Sequence, residues 1–225
     1  YPNNNDYHYH GLGLGFDDDF FKAMSKINVE LHECDLDPRL HLNGKIKTNI
    51  PIDNESIDFT IFTDVIEHFF DPFYPLQEIN RVSKPGSIMI LSTDNLTSFG
   101  SQLAILRGKS CNVPLINGSV FFEGDWRPHF REYSKGELFQ LLQWSGFEVI
   151  SHEYYESDFG NYRLVDGIVK KRLRSSSNIK RKIANILNQI LIKFIPHMRD
   201  NHLLIARKIV DYNIMMQNAP KIVGE

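Results

Sequence analysis

The 225-residue sequence predicts an α/β fold in which a mostly parallel sheet carries helices on both faces. Three observations support this prediction. A strand–helix–strand pattern occupies the middle of the chain, a glycine-rich segment with a helix and a strand precedes it, and two further apolar strands follow it. Alternating strands and helices are typical of parallel sheets, because the crossover between two parallel strands usually contains a helix.

The central unit is predicted from β-branched and aromatic runs at Ile57–Thr63 and Ile88–Ser92, which are long enough to form buried strands. A helix is predicted between them at Pro75–Val82, since its apolar residues repeat on one face, and Lys84-Pro85-Gly86 is expected to end it. This order implies a right-handed crossover and parallel pairing. Ligands of such sheets bind beyond the carboxyl ends of the strands, so the residues that follow each strand are expected to face the site.

The N-terminal segment with Gly11, Gly13 and Gly15 is predicted to connect a strand to a helix at residues 17–26. Glycines in such a turn let backbone amides approach a ligand closely. A second strand from Val29 ends in acidic residues about 20 positions after the glycines, where a carboxylate can bind both hydroxyls of a ribose. Two alternatives remain open: a glycine-rich connection without a ligand, whose acidic residues only cap a turn, and the dinucleotide site of an oxidoreductase.

A third strand is predicted at residues 43–50, and a helix is predicted at residues 96–107 after the central unit. The loop that follows is rich in glycine, asparagine, proline and aromatic residues. A loop of this length is more typical of a substrate lid than of a linker, so residues 96–130 are interpreted as a lid.

The last predicted helix runs from Lys135 to Ser145, with Ser134 and Glu137 as a capping box. Apolar strands are predicted after it at residues 148–152 and 203–208.

Residues 153–200 are longer than a hairpin requires and are interpreted as a basic helical insertion. Apolar residues recur at helical spacing from Ile179 to Phe194 among many lysines and arginines. Three roles remain open for this helix: covering the sheet or a partner subunit in a homodimer, contact of residues 170–193 with a membrane surface or a lipid-linked substrate, and contact with nucleic acid.

The composition is that of an ordinary globular protein, with 42% hydrophobic and 24% charged residues. A net charge of −3 gives no reason to expect nucleic acid as the main partner. Two cysteines cannot build a disulfide framework, and no apolar run approaches the roughly 20 residues of a membrane span. These features predict a cytoplasmic protein. Because the first residue is Tyr1 rather than Met, we expect the natural chain to start further upstream.

Several motifs occur in one order along the chain: D-V-I-E-H at 64–68, L-x-E-I-x-R-V at 76–82, K-P-G at 84–86 and H-x-R-x-Y-S at 129–134. Together they resemble class I S-adenosylmethionine-dependent methyltransferases, whose Rossmann-like fold has a mostly parallel seven-stranded sheet. The nearest branch, methyltransferase type 11/23-like, contains ubiquinone-type and sugar O-methyltransferases. The resemblance covers residues 11–152 and 201–208.

The resemblance implies S-adenosyl-L-methionine as cofactor, with S-adenosyl-L-homocysteine as the product that remains. The residues implied to bind it are Gly11, Gly13, Gly15, Asp35, Thr63 and Asp64. Asp35 is favoured over Asp37 for the ribose, since members of the family place a proline three positions after that acid. The sequence departs from the family at Tyr9, where an acidic residue usually stands.

Methyl transfer to a hydroxyl requires an aligned acceptor and removal of its proton. The candidate catalytic residues are His68, His129 and Glu67, and Asp94 is a further carboxylate near the same edge. His68 is the first choice for the base because it follows the central strand directly, and His129 is the second because the lid should bring it over the pocket. Histidine suits the role of base because its ordinary pKa is near neutrality. The alternative is that Glu67 and His68 only fix the loop through hydrogen bonds.

A divalent metal is a further alternative, with Asp64, Glu67, His68 and His129 as its ligands. This set resembles the acid-x-x-Glu-His plus later histidine of the small-RNA terminal 2′-O-methyltransferases, in which metal helps to hold the ribose hydroxyls.

The sequence therefore predicts a methyltransferase domain at 1–210 and a tail at 211–225, acting on a small molecule or carbohydrate. The rival functions are a non-catalytic binding or scaffold protein of the same fold and an RNA 2′-O-methyltransferase.

Overall fold

The computed structural model describes residues 7–13, 17–37, 48–111, 129–156, 162–165, 168–171 and 193–217. Its strands are β1 (Tyr9–Gly13), β2 (Val29–Glu33), β3 (Ile57–Thr63), β4 (Ser83–Asp94), β5 (Phe147–Tyr155), β6 (Tyr162–Val165), β7 (Ile168–Lys171) and β8 (Asn201–Lys208). Its α-helices are α1 (Asp18–Ser25), α2 (Phe73–Val82), α3 (Phe99–Leu106), α4 (Lys135–Trp144) and α5 (Tyr212–Gln217). Short 3-10 helices occupy Ile66–His68 and Pro196–Met198.

The predicted strand–helix–strand unit is present as β3, α2 and β4, and β3 pairs with β4 in parallel. The limits of β3 are those predicted from the sequence. β4 is longer than predicted, because Ser83 already pairs with Ile57 and the Lys84-Pro85-Gly86 segment belongs to the strand. The register shifts between Ile57 and Phe59, and Gly86 has a φ of 81°, so this segment forms an irregular start to the strand rather than a loop.

The main sheet has four strands in the order β3-β4-β8-β5. β8 lies between β4 and β5 and is antiparallel to both, so the sheet is mixed. The α/β class with a helical crossover is confirmed, and the strands predicted at 148–152 and 203–208 are present as β5 and β8.

The described strands form three separate sheets rather than one sheet of seven strands. β1 and β2 make a parallel pair, and β6 and β7 make an antiparallel pair. No residue of β1 is buried, whereas a central parallel strand would have both faces covered by apolar packing. The predicted third strand at 43–50 falls mostly on residues outside the described ranges.

The apolar core lies between the main sheet and helices α2 and α4. It is made of side chains from all these elements, and Leu36 after β2 packs against its margin. The capping box predicted for α4 is present, since the Ser134 side chain accepts from the backbone N–H of Glu137 and the Glu137 carboxylate accepts from the N–H of Ser134.

A buried polar cluster joins the end of β8 to α2. The Lys208 side chain is 2% exposed, and its Nζ donates to the carbonyl oxygens of Asn80 and Ser83 at 2.9 and 3.0 Å. The Asn80 side chain donates to the carbonyl of Val210 and accepts from the N–H of Tyr212, both at 3.0 Å. The first residues of the predicted tail are therefore hydrogen-bonded to the predicted domain, and they continue into α5.

The predicted basic helical insertion is described only in part. β5 extends to Tyr155, and β6 and β7 form the hairpin that follows. Residues 172–192, which contain most of the predicted amphipathic helix, lie outside the described residues. Within the described ranges, the helices are too short or too polar to cross a membrane.

Alanine substitutions at three glycines distinguish the energetic cost of a positive φ from that of a steric clash. A Cβ at Gly146 would lie 2.3 Å from the carbonyl oxygen of Val210 and 2.7 Å from Asn80 Nδ2, and its φ is 84°. Gly86 has a similar φ of 81° with nothing within 4 Å of the added Cβ. We expect Gly146→Ala to lower the free energy of unfolding by roughly 2–5 kcal/mol, and Gly86→Ala by about 1–2 kcal/mol for the φ alone.

Chemical denaturation monitored by circular dichroism measures both changes. Gly136→Ala is the matched control, because this glycine lies in the first turn of α4 with open space around its Cβ position. Equal losses for Gly146→Ala and Gly86→Ala would show that the Val210 contact does not constrain the fold.

Candidate functional site

The carboxyl ends of β3 and β4 meet at one edge of the main sheet, since the strands are parallel and Thr63 pairs with Ser92. The backbone N–H of Asp64 donates to the Ser92 carbonyl at 2.9 Å. Asp64 has a φ of 54°, a conformation that aspartate tolerates better than most residues, and its Oδ1 accepts from the Ser92 hydroxyl at 2.8 Å. Asp64 is therefore fixed to the end of β4.

The next acidic residue, Glu67, is buried at 2% exposure in the 3-10 helix after β3. Its Oε2 accepts from the Thr93 hydroxyl at 2.8 Å, and its backbone carbonyl accepts from the N–H of Phe130 at 2.8 Å. Burial raises the pKa of the Glu67 carboxyl. Glu67 thereby connects the ends of β3 and β4 to the segment that contains His129.

His68 and His129 are in contact, with ring centroids 4.6 Å apart and the rings nearly perpendicular at 85°. His129 Nδ1 lies 2.8 Å from Asp94 Oδ2 at the end of β4. This hydrogen bond, reinforced by the charge of Asp94, raises the pKa of His129 above its ordinary value although partial burial acts in the opposite direction. The structure thus brings together all three predicted catalytic residues, together with Asp94.

Two further residues of this site were missed by the sequence analysis. Burial, followed by the charge of Asp94, raises the pKa of Glu132 to about 7, and the Ser101 hydroxyl donates to its Oε2 at 3.3 Å. Tyr155 at the end of β5 is hydrogen-bonded to the side chain of Ser92, and burial raises its pKa. The signal for Glu132 was its place within the H-x-R-x-Y-S motif, whereas Tyr155 becomes a neighbour only through the antiparallel insertion of β8.

Two groups at this edge have the donor chemistry of a divalent-ion site. The ligand atoms of Glu67, His68 and His129 lie within 4.8 Å of one another, as do those of Asp94, His129 and Glu132. Mixed carboxylate and imidazole donors fit a first-row transition ion. Three of the four predicted metal ligands are therefore close together, whereas Asp64, the fourth, belongs to neither group and is held by Ser92.

The glycines predicted to form a cofactor turn are placed differently. Gly11 and Gly13 lie in β1, paired with Leu31 and Glu33, and Gly15 lies outside the described residues. A Cβ at Gly11 would come within 2.6 Å of Leu31 Cδ2, the end of a side chain on the neighbouring strand. α1 begins after Asp17, whose side chain caps it by accepting from the backbone N–H of Phe20 at 2.7 Å.

Asp35 lies just beyond β2, as predicted, and is 4% exposed. Its Oδ1 accepts from the backbone N–H of Asp37 at 3.1 Å, and Asp37 is equally buried. Leu36 between them packs against the core, which anchors this turn to the main domain. The assignment of Asp35 to a ribose stays a prediction.

Comparison with known protein families gives a match to the methyltransferase domain at residues 18–91, about a third of the chain. The matched segment runs from α1 to the middle of β4 and includes Asp35, Asp64, Glu67 and His68. It starts after the three glycines, which lie outside the match.

The chain is 30% identical over 112 residues to a protein of Mycolicibacterium smegmatis named "Probable S-adenosylmethionine-dependent methyltransferase", covering 50% of this chain and 37% of that protein. The chain thus spans well under half the length of this curated relative.

Among solved structures, an S-adenosylmethionine-dependent methyltransferase from Mesorhizobium loti is 12% identical with a TM-score of 0.49, covering 89% of this chain and 80% of that one. One from Methanosarcina mazei is 16% identical with a TM-score of 0.46, covering 93% and 98%. These likenesses are too distant to select a branch or a substrate. The segment from α1 to β4 is therefore similar to the methyltransferase domain, and 112 residues of the chain are similar to a probable S-adenosylmethionine-dependent methyltransferase.

Proposed function

We propose that the protein transfers a methyl group from S-adenosylmethionine to a hydroxyl of a small molecule or a sugar. The observation that carries the proposal is the His129–Asp94 pair, joined at 2.8 Å at the edge of the sheet where ligands of this fold bind. The match to the methyltransferase domain supplies the cofactor class. The acceptor class rests on the base, because a hydroxyl acceptor must lose a proton and the paired imidazole can take it.

The cofactor, when bound, supplies an electrophilic methyl group on a sulfonium. The chain positions the acceptor and handles its proton. The carboxylate of Asp94 keeps the hydrogen of His129 on Nδ1, which leaves Nε2 as the nitrogen that can accept a proton. With such a cofactor bound, Nε2 would take the proton that the acceptor hydroxyl loses when its oxygen is methylated.

The neighbouring groups hold this base in place. Glu67 fixes the backbone of the His129 segment through the N–H of Phe130, and the His68 ring packs edge-on against that of His129. Glu132 and Asp94 supply negative charge that stabilises the imidazolium formed on proton transfer. His68 is the alternative base in this arrangement.

On the cofactor side, the proposal assigns the ribose hydroxyls to Asp35 and the backbone after β3, at Thr63 and Asp64, to the remaining contacts. Carboxylates at the ends of neighbouring strands suit this role, since one carboxylate offers acceptors to two hydroxyls. Of the two described glycines, Gly13 is the last residue of β1, and it is the one we assign to contact with a ligand.

A second candidate is methylation of a terminal ribose of RNA with help from a divalent ion. It is favoured by one observation, the closeness of Glu67, His68 and His129. A vicinal diol is a good ligand for such an ion. This candidate requires Mn²⁺ binding that is lost in His68→Gln, whereas the first requires none.

Cofactor binding tests the proposal through a matched pair of variants. Asp35→Asn keeps the shape of the side chain and the oxygen that accepts from Asp37, but removes the charge. We expect it to weaken binding of S-adenosylhomocysteine about 10- to 100-fold, the loss typical of a hydrogen bond to a charged group. Isothermal titration calorimetry measures this change.

Asp37→Asn is the control, because Asp37 is as buried as Asp35 and lies two residues further along the same turn. It should retain most of the affinity. A folded wild-type protein that binds neither S-adenosylmethionine nor its product would contradict the proposal and leave a non-catalytic binding protein.

The pKa of His129 tests its proposed role as the base. We expect NMR titration of the His129 ring to give a pKa above the ordinary value, and Asp94→Asn to lower it because the hydrogen-bonded charge is lost. A base acts when it is deprotonated, so methyl transfer should rise with pH as His129 loses its proton. In Asp94→Asn this rise should occur at lower pH.

Asp58→Asn is the control for this experiment, since Asp58 pairs with Lys84 at the opposite end of β3. It should leave both the titration and the pH profile unchanged. If the pH profile follows His68 rather than His129, shown by a profile that Asp94→Asn leaves unmoved, the base is misassigned.

A further inference from the structure

A second cluster of metal-ligating side chains lies on the β1–β2 pair, outside the proposed catalytic site. In the parallel register His10 is opposite Glu30, and Leu12 is opposite His32. Opposite residues share a face of the sheet, and so do residues two apart along a strand. His10, Glu30 and His32 therefore lie on one face, and His8 is two residues before His10. We refer to these four residues as the β1–β2 histidine cluster.

Three of the four side chains are in contact. His10 Nδ1 is hydrogen-bonded to His32 Nε2 at 3.0 Å. Glu30 Oε2 is 3.8 Å from His10 Nδ1, and the other oxygen, Oε1, is 3.7 Å from His32 Nε2. Ligands bound tetrahedrally at about 2.0–2.1 Å are separated by about 3.3 Å, so an ion would replace the hydrogen bond between the two rings and draw the Glu30 carboxylate towards them.

His8 can supply the fourth ligand. Its ligand atom lies within 4.8 Å of those of His10 and Glu30, and its ring is stacked on that of His10 at a centroid distance of 6.1 Å. The His8 side chain is exposed, so it can rotate towards an ion at little cost. Four protein ligands of the N and O type complete the coordination of a structural zinc site.

The donor types of the cluster also suit an ion. Imidazole and carboxylate donors select Zn²⁺ and similar borderline ions over Ca²⁺ and Mg²⁺, which prefer oxygen ligands alone.

Another histidine pair in the protein provides a contrast. His152 Nε2 and His202 Nδ1 are 2.9 Å apart, much like His10 and His32. The His202 ring also interacts with the Tyr133 carbonyl at 3.0 Å. Among the described residues, the groups of three ligand-type side chains within 4.8 Å do not include this pair. Close imidazoles are therefore not sufficient, and the nearness of His10 to both Glu30 and His8 distinguishes the β1–β2 histidine cluster.

We propose that the β1–β2 histidine cluster binds a structural Zn²⁺ ion, or an ion of similar chemistry, through His10, His32, Glu30 and His8. An ion at this position joins β1 to β2 through their side chains. Within the described residues β1 pairs only with β2, so the ion would stabilise the strand that leads into residues 14–16. This site is independent of the proposed methyl transfer.

Zinc titration of the metal-free full chain tests the site. Wild-type protein should bind Zn²⁺ saturably in calorimetry. The double variant His10→Gln/His32→Gln should bind one Zn²⁺ ion fewer per chain. Glu30→Gln should lower the affinity for that ion by at least roughly tenfold, because even residues that only contact the metal ligands change metal affinity by about 10–100-fold. Its side chain is 59% exposed, so this variant should fold even if the double variant does not.

Two controls separate this site from other histidines. His197→Gln, at an exposed position, should bind like wild type. The double variant His68→Gln/His129→Gln removes the imidazole donors at the sheet edge. It should still bind the Zn²⁺ ion that depends on His10. The visible spectrum of the Co²⁺-loaded protein should show tetrahedral coordination that Glu30→Gln changes.

We expect Zn²⁺ to raise the thermal midpoint of unfolding of the wild-type protein, and to raise that of Glu30→Gln only slightly. The absence of Zn²⁺ binding by wild type would overturn the proposal, as would unchanged affinity in folded Glu30→Gln. Binding of S-adenosylhomocysteine by the same samples reports on the methyltransferase proposal separately.

Discussion

The buried side chain and backbone of Glu67 hold together three segments that are far apart in the sequence. The carboxylate accepts from Thr93 near the end of β4, and the carbonyl accepts from Phe130. A buried carboxylate is costly unless it is hydrogen-bonded, so its partners are strongly constrained. Because Phe130 is fixed, the preceding His129 is brought next to His68 and Asp94. The candidate site thus depends on a residue whose main interactions are structural.

The end of β4 is itself fixed by β8. Asn95 is 1% exposed, and its Nδ2 donates to the carbonyl oxygens of His197 and Arg199 at 2.8 and 2.7 Å. At the other end of β8, Lys208 is satisfied by carbonyl oxygens of the α2 region. Both ends of the antiparallel strand are therefore held by buried polar contacts. These contacts set its register between β4 and β5, and the position of Asp94 follows from that register.

Local patterns predicted the elements well where they were complete within a few residues. The apolar run Ile57–Thr63 has the limits of β3, and the Ser134–Glu137 capping box starts α4. The predicted site residues at the carboxyl ends of β3 and β4 are together for the same reason, since parallel pairing follows from the helical crossover. By contrast, the extent of β4 depends on pairing of Ser83 with Ile57, and no local pattern contains that contact.

The parts that sequence analysis missed depend on packing between distant segments. Gly11 resembles a residue of a ligand-binding turn, but it lies within β1 and faces Leu31 on the neighbouring strand. Glu132 lies at a variable position of the H-x-R-x-Y-S motif, and its raised pKa arises from burial beside Asp94. Neither burial nor the identity of a neighbour 38 positions away can be read from a pattern of apolar residues; both require the assembled sheet edge.

The two histidine-rich sites show how the surroundings of an imidazole set the direction of its pKa shift. Asp94 is hydrogen-bonded to His129 at 2.8 Å, which favours the charged ring and raises its pKa, as a base that must receive a proton requires. Glu30 lies 3.7–3.8 Å from His32 and His10, and burial with the second imidazole lowers the pKa of His10 although the charge of Glu30 acts in the opposite direction. A directly hydrogen-bonded carboxylate therefore outweighs burial at His129, whereas a more distant carboxylate does not outweigh burial and a second imidazole at His10.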